Sequence, residues 1–267
     1  RPGTHTSAKQ LVPIANTPIL FYGIKRLVEA GVTQIGIIIG ETGDEIRRAG
    51  GNGEKWGAKI TYLPQEKPLG LAHCVLVAQE FLTDDDFIMY LGDNMLEQDL
   101  SDIVSRFQHD RTSRPLSCRV LLKKVADPQS FGVAILDCEG SITELIEKPK
   151  NPPSDLAMVE VYLFTPAIHQ AVATLKPSGR GELEITDAIQ KLINDGLAVD
   201  HEIIKGWWID TGKKDSLLEC NRLVLSTIVT SIDERATVDS ASTLSGAVQV
   251  GAQSTLTNCT ITGPVVI

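Results

Sequence analysis

Between Thr17 and Ile228, apolar runs of strand length alternate with stretches whose apolar positions recur at helical spacing. Thr17-Pro18 opens the first helix, because proline at the first helical position sacrifices no backbone hydrogen bond. Leu20, Ile24, Leu27 and Val28 share one face of it, and Gly31 ends it. Gln34–Gly40 (QIGIIIG) is apolar on both faces, the pattern of a strand buried between helices. A second unit follows: strand Lys59–Pro64, a helix carrying Leu71, Val75, Ala78 and Leu82, and strand Asp86–Asp93. Further strands are predicted at Pro115–Lys123, Gly132–Leu136, Ile142–Glu147 and Met158–Phe164, and helices at Thr165–Leu175, Thr186–Asp195 and Lys214–Thr227. This alternation predicts an α/β fold of three layers, α/β/α, with a mostly parallel sheet covered on both faces.

The last thirty-odd residues have a different period. Val238, Leu244, Val250 and Leu256 recur every six residues, each followed by a small or polar residue. After one five-residue step the pattern resumes at Ile261, Val265 and Ile267. A strand hairpin would show period two; a period of six is the hexapeptide signature of a parallel β-helix, with each apolar residue filling the interior of a coil. The expected division is residues 1–228 for the α/β domain and 229–267 for the start of the β-helix. The pattern is still running at Ile267, so further repeats are expected beyond it.

Composition narrows the function. A net charge of −9 with no basic stripe argues against a nucleic-acid partner, and no stretch reaches the ~18 apolar residues of a membrane helix. The five cysteines have no metal-ligand or disulfide-framework spacing, which fits a cytoplasmic protein. No Walker A sequence, strand-linked Gly-x-Gly-x-x-Gly or Gly-x-Ser-x-Gly elbow is present, and the five histidines form no nucleophile–base pattern.

The chemistry must therefore come from single charged residues at strand ends, where open α/β sheets bind ligands. Asp93 follows a hydrophobic strand in Leu91-Gly92-Asp93-Asn94, and Asp210 does the same in Trp207-Trp208-Ile209-Asp210-Thr211-Gly212. Each alone reads equally well as a turn or helix cap. Together they favour Mg2+, which is held by one or two carboxylates plus substrate phosphates. Lys9 and Lys148 are cations beside such segments, and most lysines are merely solvated.

Seven motifs occur in order: Lys9-Gln10-Leu11-Val12-Pro13-Ile14, Gln65–Ala72, Leu91–Asn94, Phe131-Gly132-Val133, Glu147-Lys148-Pro149, Gly181–Asp187 and Trp208–Gly212. Together they resemble the sugar-1-phosphate nucleotidylyltransferases, most closely the longer glucose-1-phosphate thymidylyltransferases that carry a C-terminal left-handed β-helix. The resemblance covers nearly the whole chain and implies a Rossmann-like catalytic domain. It also implies roles. Lys9 would contact phosphate, and Gln10, Gln65 and Gly70 would read the base, with Gln10 favouring thymine. Asp93 and Asp210 would hold Mg2+. Gly132, Glu147, Tyr162 and Trp208 would line the sugar site, and Lys148, assisted by Asn94, would hold the sugar phosphate. Tyr162 reads equally well as a core tyrosine, and Glu182 and Glu184 as the start of a helix.

The family carries a loop, Gly-Gly-x-Gly-Thr-Arg-Leu, immediately before the segment matching Arg1-Pro2-Gly3-Thr4; the expectation is that this chain starts just after it and would not turn over alone. Glu160 is the second departure, standing where relatives have glycine beside the sugar. The reaction implied joins dTTP and glucose 1-phosphate, releasing pyrophosphate, with Mg2+ as cofactor. Bringing two anions together costs about 4 kcal/mol per pair of unit charges at ~4 Å and an effective dielectric of ~20, which a cluster of lysines and metal would offset. Rival readings are a uridylyltransferase or other sugar-1-phosphate nucleotidylyltransferase, a non-catalytic regulatory subunit of the same fold, and acyl transfer on the β-helix, for which Val238–Ile267 offers no histidine. The β-helix makes a homo-oligomer the expected assembly.

Overall fold

The computed structural model describes residues 8–267; the segment Arg1–Thr4 lies outside the described residues. After a 3-10 turn at Lys9–Leu11, β1 (Pro13–Ile14) folds back on β2 (Thr17–Pro18) through Ala15 and Asn16, both at positive φ. There follow α1 (Ile19–Glu29), β3 (Gln34–Ile39), α2 (Gly43–Gly50), β4 (Lys59–Pro64), α3 (Leu71–Leu82), β5 (Phe87–Tyr90) and β6 (Asn94–Leu96). Next come α4 (Ser101–Ser113), β7 (Leu116–Lys124), β8 (Gly132–Leu136), β9 (Ile142–Glu147) and β10 (Leu156–Phe164). Then α5 (Ala167–Ala173), α6 (Ile185–Asn194), β11 (Ala198–Ile203), β12 (Trp208–Asp210) and α7 (Lys214–Ser226) complete the α/β part.

Side-chain alternation along the central strands creates the layers. On β10, Val159, Val161 and Leu163 pack into one buried cluster with residues of α1 and α4. Met158, Tyr162 and Phe164 pack into another with residues of α3, α5 and α6. β7 divides likewise, Leu121 to the first and Cys118, Val120 and Leu122 to the second. The predicted α/β/α class is present.

Within the sheet the pairing is mixed. β11 and β7 are parallel, as are β3 and β4, whereas β5, β7 and β8 all meet β10 antiparallel and β8–β9 is a hairpin. The antiparallel strands follow from short connections: no helix separates β8, β9 and β10, and a parallel neighbour needs a crossover. Among the described residues β3 pairs with β4 alone, and a slot of about 780 Å3 separates β3 from β5. Apolar side chains of both strands line it, and Lys9, Gln65 and Asp93 stand at its margin.

β10 carries an irregularity that bears on the site. Met158 faces Leu122 and Tyr162 faces Val120, so three residues of β10 (Val159, Glu160 and Val161) lie opposite Leu121. The extra residues bend the strand and centre the bulge on Glu160.

The chain ends in stacked short strands: β13 (Ser231–Ile232), β14 (Thr237–Val238), β15 (Thr243–Ser245), β16 (Val248–Val250), β17 (Thr255–Leu256), β18 (Thr260–Thr262) and β19 (Val265–Val266). All pair in parallel, β13 with β16 and β16 with β19, β14 with β17, β15 with β18. Val250 and Leu256 are buried in one cluster, and Val238, Leu244, Ile261, Val265 and Ile267 pack half-buried against it, as the six-residue period requires. The five-residue step from Leu256 to Ile261 is absorbed as a register change: Thr237 stacks on Thr255, 18 residues on, but Thr243 on Thr260, only 17 on. Among the described residues no helix is long and apolar enough to cross a membrane.

Candidate active site

The two strand-end aspartates meet because β6 and β12 pair antiparallel with Asn94 opposite Asp210. Thr211 closes the corner, its backbone N–H (3.1 Å) and hydroxyl (2.6 Å) both donating to the Asp93 carbonyl. Lys9 Nζ forms an ion pair with Asp93 Oδ2. Asp210 Oδ1 accepts the Gly212 N–H at 2.9 Å, the turn contact that the capping alternative anticipated, and its second oxygen accepts no hydrogen bond among the described residues. No group of three or more metal-ligating side chains occurs among the described residues. Two hard carboxylates from adjoining strand ends nevertheless suit Mg2+, which keeps several waters and takes its remaining ligands from substrate phosphates.

Glu147 ends β9 opposite Gly132 of β8. Its Oε2 accepts the Thr186 hydroxyl (2.6 Å), and its Oε1 accepts Arg180 Nη1 (3.1 Å) and lies 3.4 Å from Lys148 Nζ. Gly132 packs tightly here: a Cβ would come within 2.8 Å of Met158 Sδ and 2.9 Å of Thr186 Oγ1, so those side chains would have to shift. Lys148 has φ +42°, an uncommon conformation for a residue with a side chain, and its N–H donates to the Phe131 carbonyl at 3.0 Å. Phe131 in turn packs against Trp208, ring centroids 4.9 Å apart. Arg180 and Thr186 were not among the expected site residues; Arg180 also pairs with Glu182 (3.2 Å) and Glu184 (3.7 Å), which accounts for both glutamates.

Between these two groups lies a buried relay. Asn94 is 1% exposed; its Oδ1 accepts the Trp208 indole N–H at 2.5 Å and its Nδ2 donates to Glu160 Oε2 at 2.6 Å. Glu160 is pushed up to about 7, chiefly by burial, with Asp210 and Asp93 adding to the rise while the Asn94 hydrogen bond and Lys148 oppose it. Tyr162 is 2% exposed and stacks on Phe164 at 5.7 Å, so it sits in the core beneath the site, with its hydroxyl within electrostatic reach of Glu160 and Glu147.

The base-side residues gather at the margin of the slot. Lys9, Gln10, Gln65 and Asp93 all line it, and Gln10 Cγ lies 3.6 Å from where a Cβ on Gly92 would stand. Gln65 Nε2 is 2.8 Å from His73 Nδ1 and 3.6 Å from Cys74 Sγ. His73 is one of the five histidines that form no nucleophile–base pattern, and its place beside Gln65 had no local signal in the sequence. Gly70 has φ +102°, and a Cβ there would meet the Leu183 carbonyl at 2.5 Å and N at 2.7 Å. Its close neighbour is thus the backbone of the Gly181–Asp187 motif. Leu183 N–H donates to the Leu69 carbonyl (2.7 Å) and Ala72 N–H to the Leu183 carbonyl (3.0 Å), so two of the seven motifs are knitted together.

Residues 1–227 match the nucleotidyl transferase family model. The glucose-1-phosphate thymidylyltransferase of Streptomyces antibioticus is 51% identical over 100% of this chain and 74% of its own length, and the enzyme of that designation from Streptomyces griseus is 52% identical over the same shares. The low-salt glycan biosynthesis nucleotidyltransferase Agl11 of Haloferax volcanii is 47% identical over 94% of this chain and 69% of its own. Among solved structures, a Bacillus anthracis protein designated a glucose-1-phosphate thymidylyltransferase, in complex with sucrose, superposes with a TM-score of 0.76 at 33% identity, covering 83% of this chain and 88% of that one. With the fold, the strand-end aspartates and the ordered motifs, these likenesses place the chain in the nucleotidyl transferase family, in its glucose-1-phosphate thymidylyltransferase branch.

Proposed function

We propose that the protein joins dTTP and glucose 1-phosphate to give dTDP-glucose and pyrophosphate by a single in-line displacement. A non-bridging oxygen of the sugar phosphate forms a bond to the α-phosphorus of dTTP as the bond from that phosphorus to the bridging oxygen of the β-phosphate breaks. Pyrophosphate departs with the electron pair. No general base is needed, because the phosphate nucleophile is ionised at neutral pH.

The observation that carries this reading is the meeting of Asp93, Asp210 and Lys9 at one strand-end corner, with the Glu147 and Lys148 group across the Asn94–Glu160 relay from it. Phosphoryl-type transfer requires alignment and charge stabilisation above all. Lys148 meets the sugar phosphate, with its backbone held by Phe131. Glu147, oriented by Thr186 and Arg180, accepts hydrogen bonds from sugar hydroxyls, and Trp208 walls the ring. Gln10 and Gln65 read the pyrimidine edge, and Lys9 exchanges its pairing with Asp93 for the triphosphate. Mg2+, held by Asp93 and Asp210, supplies Lewis-acid stabilisation of phosphate charge when bound. The identity over the whole chain to thymidylyltransferases, against 37% over 79% of it to a Haloferax volcanii uridylyltransferase, supports thymine over uracil.

Asp93→Asn and Asp210→Asn are each expected to cost at least about 100-fold in kcat at saturating Mg2+, the scale of losing one preorganised charge-stabilising group. A double variant with near-normal pyrophosphate release would end the assignment.

A further inference from the structure

Every carboxylate around this corner except one has a cation or a backbone turn to itself. Asp93 pairs with Lys9, Glu147 with Arg180 and Lys148, and Asp210 takes the Gly212 N–H. Glu160 has no ion pair among the described residues. Its Oε2 is bound by the Asn94 amide, and its Oε1 accepts no hydrogen bond there. That oxygen is also absent from the buried polar atoms lacking a partner, so it retains contact with solvent. The residue is therefore half-buried and keeps one carboxylate oxygen free of protein partners, at the bulge of β10.

What that oxygen meets is set by its surroundings. Asn94 ties the other oxygen, Oε2, to Trp208, Lys148 lies within electrostatic reach, and Asp93 and Asp210 raise the proton affinity of the carboxylate. An oxygen in this position is a poor neighbour for a further anion and a good acceptor for a donor that brings positive charge. A hydroxyl would satisfy the hydrogen bond only; an ammonium would satisfy it with a stronger, charge-assisted bond to the carboxylate.

We propose that Glu160 is a specificity-determining residue of the sugar 1-phosphate site, and that it directs the enzyme toward hexose 1-phosphates bearing an amine, hexosamine 1-phosphates, as acceptors beside glucose 1-phosphate. This rests on the nucleotidyl-transfer reading above. The sugar phosphate stays with Lys148 and the ring hydroxyls with Glu147, while Glu160 Oε1 accepts a hydrogen bond from the ammonium. Asn94 and Trp208 hold the carboxylate in place, so they position it without touching the amine.

The test uses the full-length protein with Mg2+ and saturating dTTP at pH 7.5, and compares kcat/KM for glucosamine 1-phosphate with that for glucose 1-phosphate. Glu160→Gln keeps the volume and the Asn94 hydrogen bond but removes the charge; Glu160→Gly removes the side chain. The glucosamine-to-glucose ratio is expected to fall at least about tenfold in both variants, through KM for glucosamine 1-phosphate, the loss typical of a charge-assisted hydrogen bond. A ratio within twofold of the wild type in both variants overturns the proposal. So does an unchanged ratio with a raised Mg2+ requirement, which would assign Glu160 to the cation instead. Calorimetric titration of the two sugar phosphates into the same three proteins reads the ratio without turnover. If wild type releases no pyrophosphate with either sugar, the nucleotidyl-transfer reading fails, while the binding ratio still decides the role of Glu160.

Discussion

A carboxyl held inside a sheet keeps its proton more tightly than one in water, and burial, before any neighbouring charge, pushes Glu160 up to about 7. Because its folded-state value lies above the unfolded one, the stabilisation linked to its protonation is complete below about pH 4.5 and is lost as pH rises through 7. The loss is on the order of 3 kcal/mol at most. Glu160→Gln removes it, so thermal unfolding should show the variant gaining on the wild type from pH 5 to about pH 7 and the gain levelling off above that; a constant difference in Tm from pH 5 to pH 8.5 would contradict the assignment. The main charged residues of this corner were legible in the sequence because each stands at the end of an apolar run: Asp93, Asp210, Glu147 and Lys148. Their supports were not. Thr186 and Arg180 reach Glu147 across 39 and 33 positions, and His73 meets Gln65 from within a helix face that reads as ordinary packing. The geometry of Glu160 depends on a bulge, which leaves no mark in residue type.

At the scale of elements, two features were silent in the pattern. Helix α4 and strand β11 were not predicted, since α4 buries only Ile103 and Phe107 among many polar residues and β11 reads as AVDHEI. What joins them is Arg119, which is 5% exposed on β7 and donates to Asp200 of β11 (2.8 Å) and Asp110 of α4 (2.5 Å). Asp200→Ala leaves that guanidinium buried with half its partners and is expected to destabilise by about 2–4 kcal/mol. Urea unfolding would register this as a lower midpoint at unchanged slope. Gly70→Ala is expected to cost about 2–3 kcal/mol as well, because the left-handed backbone and the Leu183 peptide both exclude a Cβ. The damage should appear in both joined loops, as faster amide exchange at Leu183 as well as at Ala72. Exchange confined to Ala72 would mean that the two motifs are not coupled.

The whole molecule joins a layered α/β part to a coil built on a different period, and the hexapeptide arithmetic made that coil readable almost residue by residue. Its cohesion comes from a thin apolar column in which Val248 is 0% and Val250 2% exposed. Val250→Asp buries a charge with no partner in that column, so residues 231–267 should lose amide protection while β7 and β10 keep theirs. Simultaneous loss in both would show one cooperative unit. The mixed pairing of the sheet was less legible, since alternating apolar runs reveal burial on two faces but not strand direction. The account as a whole stands on nucleotidyl transfer to a sugar 1-phosphate with thymine preferred. Its most direct measurement is pyrophosphate release by the full-length protein with Mg2+ and glucose 1-phosphate, offered each nucleoside triphosphate in turn. Release with dTTP at a kcat/KM above that for every other nucleotide is the predicted result; no release with dTTP, under conditions where the protein is folded, would contradict it.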